Sequence, residues 1–312
     1  MTVKITKKRI ALGLGSIIII VLLLSKIELK ELVDTILAID PMAYLLAFAI
    51  YTSGYFVRIL RLRYVLGKSS FKTWFQFMGV FQLLNRTLPF RSGEIFFPIL
   101  LKRLIGIGHA EAISKLIIVR FLDLITLFLF FLISLLWVQV DNFGLMIGVS
   151  VLIFLLFILL YFKRTPLIKF AVRMVVKLKP SLESKLTELS DSIIAAFAVS
   201  RKQMVVLTFY SLLDKVINYA ALVVVVLGMG FSIRVEKLCV AIGLSGFSEI
   251  LPINSLGSFG TLELGWVGAL TMFGVDENTS IQSGFSTHIV AFSYTIILGL
   301  VSALLYLANK RK

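Results

Sequence analysis

The chain has 312 residues, of which 59% are hydrophobic and only 16% are charged, and its mean hydropathy is +0.98. Soluble domains average about 45–50% apolar residues, so a water-soluble fold is excluded and an all-α polytopic membrane protein is predicted. The formal net charge of +15 does not indicate nucleic-acid binding, because the basic residues flank long apolar segments, where they set topology and attract anionic headgroups.

The N-terminal segment, residues 1–41, is predicted to hold an anchor helix and an external interfacial helix. Basic residues precede the apolar run Ile10–Leu24, and no small-residue cleavage pattern follows it. We therefore expect a retained anchor rather than a cleaved signal peptide. From Glu28 to Asp40, apolar residues recur at helical spacing among acidic ones, which is typical of a helix lying at the membrane surface.

Residues 42–162 are predicted to form a first repeat, with full spans at Met42–Ile59, Ala110–Val140 and Gly144–Phe162. Residues 73–101 are also long enough to cross, yet both of their ends are basic and should stay on the cytoplasmic side. The Pro- and Gly-containing polar stretch in their middle would end a helix. We expect a re-entrant hairpin open to the cytoplasm, because broken backbone at membrane depth needs a cover of protein or water.

The second half of the chain repeats this order after a basic connection. Residues 163–202 are predicted to be cytoplasmic amphipathic helices interrupted at Pro180. Residues 203–312 then form the second repeat, in which an external re-entrant hairpin at 231–271 is followed by an acidic link. Full spans are predicted at Gln203–Met229 and Ile281–Ala308, which brings the total to about six and leaves both termini cytoplasmic.

The two hairpins share their tip residues but are expected to enter from opposite sides of the membrane. Leu88-Pro89 with Gly93-Glu94 corresponds to Leu251-Pro252 with Gly260 and Glu263. Opposed broken helices that meet near the bilayer midplane are how many secondary transporters build a central site. The alternative is that these stretches are ordinary kinked crossings and that their similarity is chance.

Charged and polar residues at membrane depth are the candidate site, because each is costly there unless it is paired or hydrated. We expect Arg86, Arg91 and Arg120 to bind a phosphate headgroup, since a guanidinium makes bidentate, charge-assisted bonds to phosphate. Arg58 and Arg61 would stand at the cytoplasmic mouth, or would only anchor their span there. The full set of candidate substrate-binding or transport residues is Arg58, Arg61, Asn85, Arg86, Pro89, Arg91, Glu94, Arg120, Asp123, Pro252, Asn254, Glu263 and His288.

The acidic candidates and the histidine have two interpretations each. Arg120 and Asp123, three residues apart on one helix face, would form an ion pair that is either structural or functional. Glu94 and Glu263 could hold arginines in place or exchange protons during a transport cycle. His288 could belong to a proton relay, or it could simply be hydrogen-bonded between helices. Weaker candidates of the same kind are Glu249 and Asp214-Lys215.

Enzymatic patterns are missing from the sequence. It has no Walker-type phosphate loop and no metal-ligand spacing, and its lone cysteine, Cys239, has no partner for a disulfide. We therefore expect no catalytic residue, no metal and no cofactor, and we expect that the chain is not an enzyme.

The motifs resemble those of the integral membrane family named after the transmembrane region of lysylphosphatidylglycerol synthase, a flippase-like family. The residues that carry the resemblance are Arg58 to Arg61, Asn85, Leu88-Pro89, Arg91, Gly93-Glu94 and Arg120 with Asp123, then Leu251-Pro252, Gly257, Gly260 and Glu263. Phe90, Ser258 and Leu262 depart from the family pattern. The resemblance implies lipid translocation, of aminoacylated phospholipid beside a synthase domain or of polyprenyl-phosphate-linked sugars in stand-alone relatives. No synthase domain follows Lys312, so aminoacyl transfer is not expected.

The expected function is therefore a flippase in the cell membrane that moves a phosphate-bearing lipid by alternating access. Its partners would be lipids with anionic or phosphate headgroups. An alternative is a non-transporting scaffold that holds a glycosyltransferase or lipid-modifying enzyme on the basic surface of residues 163–202. A membrane-embedded lipid-modifying enzyme is a third class.

Overall fold

A computed structural model describes residues 28–67, 69–138, 163–197, 200–250 and 256–310, with single positions at 25, 144, 148, 151, 152, 155 and 159. Within these residues every regular element is a helix, and four helices are long and apolar enough to cross a membrane. The predicted anchor Ile10–Leu24 and most of the predicted span Gly144–Phe162 lie outside the described residues.

The described residues of the first half contain five α-helices, and a 3-10 turn at Pro89–Ile95 separates the third from the fourth. They are α1 (Leu29–Leu37), α2 (Pro41–Leu66), α3 (Phe71–Thr87), α4 (Phe96–Leu104) and α5 (His109–Trp137).

Six further α-helices lie in the described residues from 163 to 310, with 3-10 turns at Pro180–Leu182 and Leu256–Ser258. They are α6 (Arg164–Leu178), α7 (Glu183–Phe197), α8 (Arg201–Gly228), α9 (Val235–Ile250), α10 (Thr261–Met272) and α11 (Glu277–Lys310).

The four candidate spans are α2, α5, α8 and α11, and each overlaps a predicted span. Helix α2 begins at Pro41, where Asp40 accepts a hydrogen bond from the Met42 N–H at 3.1 Å. The helix continues beyond the predicted end of the span at Ile59, through Leu66, and ends at Gly67, whose φ is +100°. The arginines near its end do not stop it, since they find acidic partners on other helices.

The first predicted hairpin is a pair of helices, α3 and α4, that pack against each other on either side of the Pro89–Ile95 turn. Leu88 is extended, as expected for a residue that precedes proline. A Cβ atom on Gly93 would lie 2.3 Å from Asn85 Cα, so only glycine lets the turn fold this closely onto α3. Asn85 itself belongs to the last turn of α3 and not to the break.

The second predicted hairpin is likewise a helix pair, α9 and α10. Residues 251–255 of its tip, with the candidates Pro252 and Asn254, lie outside the described residues. In the part of the tip that follows, Gly257, Ser258 and Gly260 have φ values of +67°, +63° and +86°. Ser258, which departs from the family's glycine pattern, thus occupies a conformation that favours glycine.

The two halves contact each other in a reciprocal pattern. Helices α2 and α8, the first spans of the two halves, pack together. Helix α3 packs on α11 and α9 packs on α5, so each hairpin lies against the span that follows the hairpin of the other half. The two tips also touch each other. Exchanging the halves therefore reproduces the same set of contacts.

Small residues permit the close helix crossings in this arrangement. A Cβ atom on Gly79 of α3 would lie 2.0 Å from Ser302 Oγ of α11, and one on Gly228 of α8 would lie 2.4 Å from Ala43 Cβ. Close approach of backbones through small residues is the usual way in which helices associate within a bilayer. The Tyr51 hydroxyl also meets Thr295 Oγ1 at 2.8 Å, which ties α2 to α11.

The remaining helices lie around this bundle. Helices α6 and α7 are separated by the turn that begins at Pro180, as the sequence predicts, and α7 packs on α5. Helix α6 carries exposed apolar residues at helical spacing, which is typical of an amphipathic surface helix: Leu167, Phe170, Met174 and Leu178. Helix α1 buries Leu32 against Ile281 and Phe285 of α11.

Candidate functional site

A polar cavity of about 330 Å³ lies between α2, α3, α5 and α8. Its polar wall contains four arginines that were predicted as site residues from the sequence. It also contains residues that were only weak candidates or were not predicted at all. The charged and amide side chains on the wall are Arg58, Arg61, Gln82, Asn85, Arg86, Arg120, Asp123, Asp214, Lys215 and Asn218. The helices that build the cavity are largely apolar elsewhere, so these groups are concentrated at one place.

Arg61 is the most deeply buried cation of this cavity, at 4% exposure. Its two terminal nitrogens donate to the two carboxylate oxygens of Asp123 on α5, at 2.5 and 3.3 Å. Ser211 of α8 accepts a third hydrogen bond from Arg61, at 2.8 Å. The fork-like pairing fixes the guanidinium plane and joins three helices, so the position of Arg61 inside the bundle goes beyond topological anchoring at the membrane surface.

Arg120 makes the ion pair with Asp123 that the sequence favours, and it makes a closer one with Glu94. Its distance to Asp123, three residues along the same helix, is 3.7 Å, whereas it meets Glu94 Oε1 at 2.9 Å. Asp123 is turned toward the more buried Arg61, and the first hairpin tip supplies the carboxylate for Arg120. This second pair therefore ties the tip to α5, which is the holding role that the sequence analysis considered for Glu94.

Arg58 pairs with Asp214 of α8, with 2.7 Å between Nε and Oδ1. Its guanidinium also lies 5.9 Å from the centre of the Tyr51 ring. The pair lies on the same cavity wall as Lys215. Sequence reasoning ranked Asp214 and Lys215 low because nothing in α8 alone shows which basic or acidic groups face them from α2 and α5.

The cavity has a surplus of positive charge. Among the described residues, five basic side chains line it, against the carboxylates of Asp123 and Asp214 on the wall and that of Glu94, which pairs with Arg120. The basic residues are Arg58, Arg61, Arg86, Arg120 and Lys215. A ligand that brings negative charge would compensate this surplus, and guanidinium groups suit phosphate in particular.

A smaller chamber of about 90 Å³ adjoins this cavity, and the two share Arg86, Asn218 and Gly246 on their walls. The sequence candidates Glu263 and His288 lie on the wall of the chamber. His288 Nδ1 is 2.5 Å from Glu263 Oε1, and the two side chains are 6% and 0% exposed. His288 is therefore hydrogen-bonded between helices α10 and α11, as one of its two interpretations predicts.

Glu263 has a second contact, which explains its position at the start of α10. Its Oε2 accepts a hydrogen bond from the Gly260 N–H at 2.6 Å, so the carboxylate caps the helix. Phe259 stacks on the His288 ring with 4.2 Å between ring centres. The second tip is thus fastened to α11 through one ionisable pair and one aromatic contact.

Several sequence candidates have no described place in the site. The side chains of Pro89, Arg91 and Glu249 lie outside the described part of the chain, as do Pro252 and Asn254 altogether. Gln82 and Asn218 were missed, because an amide in a long apolar helix gives no signal until the partner helices are known. Over the described ranges, no group of three or more His, Cys, Asp or Glu side chains could hold a metal ion.

Comparison with known proteins identifies one family. The family described as the lysylphosphatidylglycerol synthase TM region matches residues 9–299 of the chain. No curated protein and no solved structure showed significant similarity. The match covers both helix pairs, both cavities and all of the candidate site residues.

Proposed function

Since the chain belongs to the family of the lysylphosphatidylglycerol synthase transmembrane region, we propose that it is a lipid flippase that works by alternating access. Its cargo is a phosphate-bearing lipid, either a phospholipid or a polyprenyl-phosphate-linked sugar. The headgroup occupies the larger cavity while the acyl or prenyl tail stays in the bilayer. The function is transport, and no catalytic step is assigned to any residue.

The observation that carries this proposal is the surplus of basic groups in a cavity enclosed by apolar helices. Charged side chains at membrane depth are costly and are kept where they pair or serve a pathway. Arg58, Arg61 and Arg120 are paired with Asp214, Asp123 and Glu94, yet the five basic side chains of the described wall still outnumber these three carboxylates. A phosphate group entering the cavity would supply the missing negative charge.

The size of the cavity supports a headgroup rather than a whole lipid. Its volume of about 330 Å³ lies at the lower end of the range, about 300–1,000 Å³, that is usual for small-molecule sites. Two hydrocarbon tails would not fit beside the headgroup. The tails would therefore remain in the surrounding lipid, as the proposal requires.

The reciprocal contacts of the two halves support alternating access. Each helix pair packs on the span that follows the hairpin of the other half, and the two tips meet. If the halves have opposite orientations in the membrane, a rocking motion that opens one side would have an equivalent that opens the other. The larger cavity would then face each side in turn.

Reconstitution into liposomes tests this function. The purified chain would be incorporated into vesicles that contain headgroup-labelled phospholipid or a labelled polyprenyl-phosphate sugar, and movement between leaflets would be followed by quenching of the outer label. We expect faster movement than in protein-free vesicles for at least one of the two lipids. The lipid that moves identifies the cargo class.

Two outcomes would contradict the proposal. If no labelled lipid moves and a glycosyltransferase co-purifies with the chain, the protein is a scaffold. If mass spectrometry shows that the lipid is chemically altered in the presence of a donor, the protein is a lipid-modifying enzyme.

A further inference from the structure

The smaller chamber is too small for the proposed headgroup. At about 90 Å³ it has room for about three water molecules, each of which occupies about 30 Å³ in the liquid. It nevertheless opens onto the larger cavity through shared wall residues, among them Arg86. Whatever binds there is small and lies beside the headgroup site.

The chamber wall carries polar atoms whose hydrogen-bonding capacity the described residues leave unused. His288 Nε2, Thr287 Oγ1 and Ser245 Oγ find no hydrogen-bond partner among the described residues, although these residues are only 7%, 3% and 6% exposed. Buried polar atoms without partners are costly and usually indicate a bound water, ion or ligand. All three residues line the same chamber.

Two small ligands suit the chamber chemically: a proton that arrives through water molecules, and a monovalent cation. An alkali cation prefers oxygen ligands, and hydroxyl groups are present. The ring that faces the chamber with its free nitrogen, however, is an imidazole, which gives and takes protons near neutral pH. Its other nitrogen already contacts Glu263, so the chamber favours the proton.

On the premise that the chain translocates lipid, we infer that the pair of His288 and Glu263 is a proton-binding site that couples lipid movement to a proton gradient. In the unloaded state, neutral His288 donates from Nδ1 to the Glu263 carboxylate, and the pair has one negative charge. A proton arriving through the chamber binds the Nε2 lone pair, which makes the imidazole cationic and the pair neutral. Release of the same proton restores the first state.

Arg86 links this site to the headgroup, because it lies on the walls of both cavities. Without the proton, the pair of His288 and Glu263 is negative and attracts the guanidinium of Arg86. It therefore competes with a phosphate headgroup for the interaction with Arg86. Loading the proton removes this competition, so the headgroup binds more tightly. By reciprocity, a bound headgroup favours proton binding at His288.

The other groups around the pair do not offer a rival proton site. Among the described residues of the chamber wall, Arg86 of α3 and Tyr51 of α2 are the only ionisable groups besides the pair. Helices α8 and α9 contribute only side chains that neither gain nor lose a proton near neutral pH: Asn218, Leu222, Ile242, Ser245 and Gly246. Helix α1 packs at another part of α11, where Glu31 accepts from Gln282.

The first test measures the proton at His288 without requiring transport. The chain has two histidines, so isotope-labelled histidine gives two imidazole signals, and exposed His109 at the start of α5 is the internal reference. Its signal is assigned by the variant H109N. In nanodiscs, we expect the His288 signal to respond to pH, because an imidazole gives and takes protons. The R86Q variant should change the midpoint of this response. A His288 signal that stays constant, or an identical midpoint in R86Q, would overturn the inference.

The second test measures coupling in vesicles of the composition that supports lipid movement. A gradient of about one pH unit is a tenfold difference in proton activity, and we expect up to a tenfold difference in rate between its two directions. E263Q and H288Q should lose this difference, while H109N keeps it. Melting temperatures of all variants show that they are folded.

The outcomes separate this inference from the proposed function. If lipid moves at the same rate in both gradient directions, the proton site is wrong and the flippase stands. If the rate follows sodium and not pH, the chamber is a cation site and the proton assignment is wrong. If no lipid moves under any gradient, both proposals fail.

Discussion

Arg61 of α2 and Asp123 of α5 are bound to each other through both guanidinium ends, at 2.5 and 3.3 Å, although 62 residues separate them in the sequence. Arg61 is 4% exposed, so this pair lies inside the bundle. Its loss would leave a buried cation with only the Ser211 hydroxyl.

We predict that Asp123→Asn destabilises the protein strongly. Removing one partner of a buried pair costs about 3–5 kcal/mol, whereas replacing both partners with apolar residues can be nearly neutral. The melting temperature in detergent should therefore fall sharply in Asp123→Asn and recover in part in the double variant R61M/D123L. Asp191→Asn, at an exposed position of α7, is the matched control and should melt like the wild type. Equal melting temperatures of D123N and D191N would show that the pair of Arg61 and Asp123 does not stabilise the fold.

The pair of Arg120 and Glu94 should behave in the opposite way. Its side chains are 34% and 26% exposed, so Glu94→Gln should cost less than about 1 kcal/mol of stability. Lipid translocation should nevertheless fall several-fold, because this contact holds the first tip against α5. The charge swap E94R/R120E should restore part of the rate. A full rate in Glu94→Gln would remove the tip contact from the transport mechanism.

Gly93→Ala should disturb the same tip through the backbone. The new Cβ atom would lie 2.3 Å from Asn85 Cα and 2.6 Å from the Leu84 carbonyl oxygen, so the turn must move. We expect a lower melting temperature and loss of most translocation. Gly268→Ala is the control, since no atom lies within 4 Å of its added Cβ. The close packing of the tip is incorrect if the two alanine variants are indistinguishable.

A pH effect is expected at the start of α11, away from the cavities. Hydrogen bonds from Thr279, the largest from its backbone N–H, lower the pKa of Asp276 below its usual range. A lowered native pKa means that this stabilisation is complete above the unfolded-state pKa and is lost as the pH falls through the native one. Below about pH 4 the wild type should therefore lose its advantage in melting temperature over Asp276→Asn. A difference that stays constant with pH would exclude this role.

Much of the helical framework could be predicted from the sequence, since long apolar runs and basic flanks are local signals. The family is confirmed, and Pro41, Pro89 and Pro180 correctly indicate where helices begin or break. Helix α2 continues past the predicted end of its span at Ile59, and its arginines Arg58 and Arg61 find partners inside the bundle. Their partners Asp123 and Asp214 are on other helices, and no local pattern shows which helices will meet.

The candidate site was predicted in composition, but only part of its pairing was. The sequence favours a contact between Arg120 and Asp123 because they are three residues apart, while the structure gives each of them a closer partner from another element. The pair of Glu263 and His288 could not be derived either, since 25 residues separate them. Membrane sidedness, the re-entrant character of the helix pairs and the direction of transport stay predictions.

The measurement that tests the central claim most directly compares lipid translocation in two double variants. Each replaces one arginine and one lysine by glutamine, so the two variants lose the same charge. The double variant R86Q/K215Q removes two cations of the larger cavity, whereas R201Q/K202Q removes two exposed cations at the start of α8. We predict that the first loses at least tenfold in the rate of phosphate-lipid movement while the second keeps the wild-type rate. Equal rates in both variants would contradict the assignment of the headgroup to this cavity.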